Sequence, residues 1–107
     1  MTPQETLIKA AELIEEHGWD RHTYYDPDTD CYCVDGAIMA VTGHEPMIDG
    51  YRLSKTTQDL YDRDAAEQLL MEHLGISTIP ALFRWNDDPD RTKEEVVSAL
   101  KAAANVQ

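Results

Sequence analysis

Apolar residues return at helical intervals through most of this chain, and capping residues and glycines divide the pattern into segments. Leu7, Ala10, Ala11 and Ile14 fall on one side of a first helix, with Glu5, Lys9, Glu12 and Glu16 on the other. Thr2, Pro3 and Glu5 supply its capping box and first turn, and Gly18 its stop. Val34, Ala37, Ile38 and Val41 mark a second helix over about residues 31–42, with Asp30 as its cap. Its one charge, Asp35, falls in the first turn, where a negative group complements the helix dipole. A helix apolar nearly all round belongs at the centre of a fold. A third helix runs from about Leu60 to Leu74 on a stripe of Ala66, Leu69, Leu70 and His73, closed by Gly75. Ile76, Ile79, Leu82 and Phe83 fit a short helix capped by Thr78. Thr92 and Glu95 form a second capping box, opening a last helix with Val96, Ala99, Leu100 and Ala103 inward.

Two stretches have no helical period. Residues 20–30 read as an acidic loop punctuated by Pro27, and residues 44–58 hold Pro46, Gly50 and Tyr51 without a repeat. A connection as long as 44–58 is uncommon in a compact domain, so it is either functional or loosely ordered. The expectation is one all-α domain over residues 1–107. It is a compact bundle of about four main helices plus one short helix, with an antiparallel core of the first, second, third and last.

Charge narrows the functional classes. The chain carries 21 acids against 9 Lys and Arg, a net −12, and 11 of the acids lie in residues 1–50 beside only Lys9 and Arg21. Such a field repels phosphate backbones and suits a basic protein partner. No apolar run approaches the roughly 18 residues of a membrane span. The opening residues lack the basic start and apolar block of a signal peptide, so the expected location is the cytoplasm, with Cys31 and Cys33 reduced.

Candidate chemistry is sparse. Cys33, near a helix N-terminus, has the position in which a thiolate is stabilised; a hydrolase or transferase would add a base from among His44, His73 and His22 and an orienting group, Asn86 or Asp87, and the spacing selects none of them. Asp26, Asp28 and Asp30 alternate like the opening of a calcium loop, but Cys31 stands where the turn glycine belongs and Ala37 where the closing glutamate belongs. The Cys31-x-Cys33 spacing does not suit structural zinc. No cofactor motif is present, and no cofactor is expected. Asn86 and Asp87 build a structural corner that Trp85 pins to the core, the reading favoured over an interaction surface formed by Trp85 with Arg84 and Arg91.

The segments Cys33-x-x-Gly36-Ala37-Ile38, Trp85-Asn86-Asp87 and Arg91-Thr92-x-x-Glu95-Val96 together resemble a family of small proteins of unknown function from actinobacteria and their bacteriophages. The resemblance implies a helical cytoplasmic domain and carries no activity or catalytic residue. Independently of it, Gly36 and Ala37 imply that another backbone approaches the second helix closely, from the first or last helix. The leading expectation is a non-enzymatic interaction protein that binds a host protein through its acidic surface or the 44–58 segment. The alternative is the Cys33 enzyme.

Overall fold

The computed structural model describes residues 1–105. It contains five helices and two small hairpins, in the order α1 (Pro3–His17), β1 (Tyr25–Asp26), β2 (Cys31–Tyr32), α2 (Val34–Val41), β3 (Glu45–Met47), β4 (Gly50–Arg52), α3 (Thr57–Leu74), α4 (Ile79–Asp87) and α5 (Lys93–Ala104). The fold is mostly helical, and the all-α expectation is corrected by the two antiparallel pairs, β1 with β2 and β3 with β4.

α1 is the hub, because α2, α3 and α5 all pack on it. The sequence pointed to the second helix as the centre; α2 is the most apolar element, but at eight residues it is too short to touch every other helix. Leu7, Ala10, Ala11 and Ile14 of α1 meet Val34, Ala37 and Ile38 of α2, Ala66, Leu70 and Met71 of α3, Leu82 of α4, and Val96, Leu100 and Ala103 of α5 in one continuous core. Burying each large aliphatic side chain there contributes about 1.5–3 kcal/mol. The alanines let the helix axes approach closely.

Capping chemistry sets the helix starts. Thr2 and Glu5 form the expected reciprocal box. Thr56, Thr78 and Thr92 each accept the backbone N–H three residues on, which satisfies a donor the helix itself leaves free. The second helix begins at Val34, three residues later than its apolar pattern suggested, because Cys31 and Tyr32 are drawn into a strand. Its cap is Cys33, whose Sγ accepts the Gly36 N–H at 3.2 Å, and not Asp30. Asp30 instead serves the first hairpin: Tyr25 Oη donates to it at 2.7 Å and His17 Nδ1 lies 2.6 Å away.

The acidic segment before α2 is therefore a turn. Asp26 Oδ1 accepts the Asp28 N–H at 2.9 Å and Asp30 takes a positive φ of 59°, a pairing that Asx residues favour. Tyr25 and Tyr32 face each other across the strands, ring centroids 4.9 Å apart. The 44–58 segment folds likewise: Glu45 to Met47 pairs with Gly50 to Arg52, leaving Ile48 and Asp49 as a two-residue tip.

Gly36 does sit where another backbone approaches, but the neighbour is the loop before β1 and not a helix. A Cβ at this position would lie 1.9 Å from the Tyr24 carbonyl oxygen. That carbonyl also accepts the Cys33 N–H at 3.2 Å, so the loop is stitched down onto the N-terminal turn of α2.

Candidate functional site

The N-terminal end of α2, the loop before β1, the end of α4 and the tip of the second hairpin enclose a cleft of about 300 Å³. Its walls include Tyr24 and Phe83, whose rings meet edge to face at 5.5 Å, with Ile48 and Asp49 of the hairpin tip and Asp87 of α4. Tyr24 also meets Tyr51 of β4 edge to face at 5.5 Å, which ties the hairpin to the cleft. Burial, with Asp35 nearby, raises the Tyr24 phenol to about 12, so it remains a neutral hydroxyl.

Asn86 holds the cleft together. It is 1 % exposed, and its carboxamide uses all its hydrogen-bonding capacity. Oδ1 accepts Trp19 Nε1–H at 2.7 Å and Val34 N–H at 3.0 Å; Nδ2 donates to the Asp20 carbonyl at 3.1 Å and to Asp87 Oδ1 at 3.0 Å. One side chain thus fastens the end of α4 to the start of α2 and to the chain leaving α1.

A second polar group lies under the same hairpin, between α2 and α3. Asp35 is 0 % exposed and Glu67 6 %, and burial raises both carboxyls. Their carboxyl groups lie against each other, and the pair retains a proton that isolated acids would lose. Arg63 is alongside, with Nε 3.7 Å from Glu67 Oε1 and its guanidinium 5.7 Å from the centre of the Tyr51 ring. His44 Nδ1 accepts the Ser54 N–H at 2.7 Å, which leaves Nε2 to carry the proton of the neutral ring. Burial and Arg63 both lower the His44 pKa and favour that neutral form. Apart from the proton held between Asp35 and Glu67, the Asp35 oxygens, Arg63 Nη1 and His44 Nε2 have no hydrogen-bond partner among the protein groups. The spacing of Arg63, Ala66, Glu67, Leu70 and Met71 traces the inner face of α3. The expected stripe ending in His73 was rotated from it, and His73 is exposed.

Of the residues singled out from sequence, His22, Cys33, Asn86 and Asp87 line the cleft, and the others lie apart from it. Cys33 lines the cleft, but it is 4 % exposed, and burial pushes its thiol up to about 12, against the helix-terminus effect. His44 lies beyond the opposite end of α2, about 12 Å of helix away at 1.5 Å per residue. Asn86 touches neither ring nor thiol through a free atom, since its amide is saturated. Of the alternative set Cys33, His44 and Asn86, the cleft gathers Cys33 and Asn86 and leaves His44 outside. Asp26 and Asp30 spend oxygens on the hairpin turn, Asp28 contributes only its backbone N–H to it, and among the described residues no group of three or more His, Cys, Asp or Glu is arranged to hold a metal ion.

Trp85 and Arg91 form a corner: the guanidinium stacks 4.2 Å from the indole, while Arg91 Nε donates to the Trp85 carbonyl at 2.9 Å and Nη1 reaches Glu95 at 3.1 Å. Arg84 is exposed on α4. Tyr51, by contrast, stands in the hairpin with its ring against Tyr24 and the Arg63 guanidinium. The signal that sequence reading missed was the Arg63–Glu67 pair at i,i+4 within an otherwise apolar stripe, matched by a lone acid in an apolar α2.

A mostly helical acidic domain with a cleft under a hairpin is the class that fold and site define. The chain belongs to a family of unknown function, DUF6197, whose model matches residues 1–106. No curated protein and no solved structure matches it. Among the described residues, no helix is long and apolar enough to cross a membrane.

Proposed function

We propose that this domain is a non-enzymatic binding module that docks a basic segment of another protein on the hairpin formed by β3 and β4. The observation that carries the reading is the clustering of exposed apolar side chains there. Ile48, Tyr51 and Leu53 are 57 %, 38 % and 52 % exposed, whereas only Met1 and Tyr61 are comparable elsewhere among the described residues. Tyr51 lies in β4 and Leu53 one residue beyond its end, so the two stand close together on the hairpin. An apolar patch beside a cleft, set in a field of net −12, suits a partner that is apolar at its centre and basic at its rim. Where the chain is phage-encoded, as the family resemblance implies, that partner is a host protein met in the host cytoplasm.

The buried, protonated state of Cys33 and its distance from His44 favour binding over thiol catalysis. Affinity capture from lysate, with the wild type compared against an Ile48→Ser/Leu53→Ser double variant, tests the reading. The expected result is a partner released by raised salt and absent with the variant, whose fold is checked by circular dichroism. Equal recovery by both proteins would remove the hairpin from the interface.

A further inference from the structure

The cleft under the hairpin tip has a composition that selects one kind of occupant. We infer that it receives the guanidinium side chain of an arginine from the docked segment, an assignment that rests on the hairpin being the docking face. Two aromatic rings, Tyr24 and Phe83, stand at right angles in its wall, and no Lys or Arg lines it. A planar cation stacks on such rings through their negative faces, and arginine does so with little loss of hydration.

The polar lining completes the selection. Asn86 has no hydrogen-bonding capacity left, so it offers nothing to a neutral amide or hydroxyl. Asp49, exposed at the hairpin tip, makes no hydrogen bond or ion pair among the described residues and is free to accept a bidentate guanidinium. Asp87 lies on the α4 side; its Oδ1 is taken by the His22 N–H at 2.9 Å and by Asn86, and its Oδ2 is 3.5 Å from His22 Nδ1. Besides the Tyr24 hydroxyl, the lining offers the carboxylates of Asp49 and Asp87 as acceptors. At about 300 Å³ the cleft is at the lower end of the range for small-ligand pockets, enough for one side chain. Ile48 closes it from the same hairpin that carries the exposed Tyr51 and Leu53, so a segment docked on that surface passes its mouth.

The test is a nuclear magnetic resonance titration of the whole chain with N-acetyl-arginine methylamide, and with the uncharged citrulline analogue in parallel. Saturable shifts at Tyr24, Ile48 and Phe83 with the arginine probe are expected, with citrulline at least tenfold weaker. Asp49→Asn should weaken the arginine probe by about three- to fivefold, the scale of one exposed ion pair, while Glu12→Gln leaves it unchanged. Equal binding of citrulline, or unsaturating shifts spread over the acidic surface, would overturn the assignment. The hairpin reading fails separately: capture that survives Ile48→Ser/Leu53→Ser removes the docking face while leaving probe binding at the cleft intact. Hairpin-dependent capture with no probe binding removes only the arginine.

Discussion

At Gly36 two local effects of opposite sign compete, and geometry decides between them. Alanine is better than glycine inside a helix by about 1 kcal/mol. Here the added methyl would stand 1.9 Å from the Tyr24 carbonyl oxygen, a backbone atom held by its own hydrogen bond to Cys33. Overpacking of a fixed neighbour costs roughly 1–3 kcal/mol, and a backbone neighbour puts the cost at the upper end. Gly36→Ala is therefore expected to destabilise the domain by about 2 kcal/mol net, read from the midpoint of urea unfolding. A midpoint equal to or above that of the wild type would show that the loop yields. That a backbone presses on this residue was legible in the chain, since a glycine in an apolar helix has few other uses. Which backbone was not, because Tyr24 belongs to a loop whose path depends on contacts with residues 86–91.

The helices were legible because their punctuation is local: a threonine cap and the glutamate three residues on are set by nearest neighbours. The two hairpins were not. Their strands are two or three residues long, too short for an alternating pattern to register. The first exists because two tyrosines meet across an Asp-rich turn, the second because Gly50 closes a two-residue tip. Misjudging the first hairpin moved the start of α2 and hid Cys33 as its cap. The join between α2 and α4 rests on Asn86. Asn86→Ala would leave Trp19 Nε1, the Val34 N–H and the Asp20 carbonyl without their partner. Buried groups deprived of partners cost about 1–3 kcal/mol each, and water entering from the adjoining cleft offsets part of that. A loss of roughly 3 kcal/mol is expected. Quenching or a shift of Trp19 fluorescence in the folded state should accompany it, as the indole N–H turns to solvent.

Taken whole, the molecule has an unusual relation to pH. Glu67 is pushed up to about 10 from an ordinary 4.5, chiefly by burial, and Asp35 beside it is also raised. The folded state therefore holds a proton that the unfolded chain releases. The stability this contributes is complete below about pH 4.5 and declines as pH rises through the neutral range toward 10. Asp30 and Asp59, lowered by their hydrogen bonds, act in the other direction, but only in acid below the usual carboxylate range. His44, held neutral in the fold, opposes this below its ordinary 6.5, so unfolding free energy is expected to fall from pH 7 to pH 8.5, with a slope of at most about 1.4 kcal/mol per pH unit for one proton. Glu67→Gln should flatten that slope while Glu12→Gln does not, which separates the buried pair from the general relief of negative charge. An unchanged slope in Glu67→Gln would place the proton elsewhere. The ties between the ends of the chain have one more consequence, which concerns time. Trp19, Arg21 and His22 bind residues 86–91 across some seventy positions, and α1 finds its cover in α5. On a ribosome adding about 5–20 residues per second, the first third waits several seconds for those partners to emerge. Throughout that interval the hub helix has its apolar face uncovered, and what shields it is the charge of the nascent first half, whose acids repel other chains of the same kind.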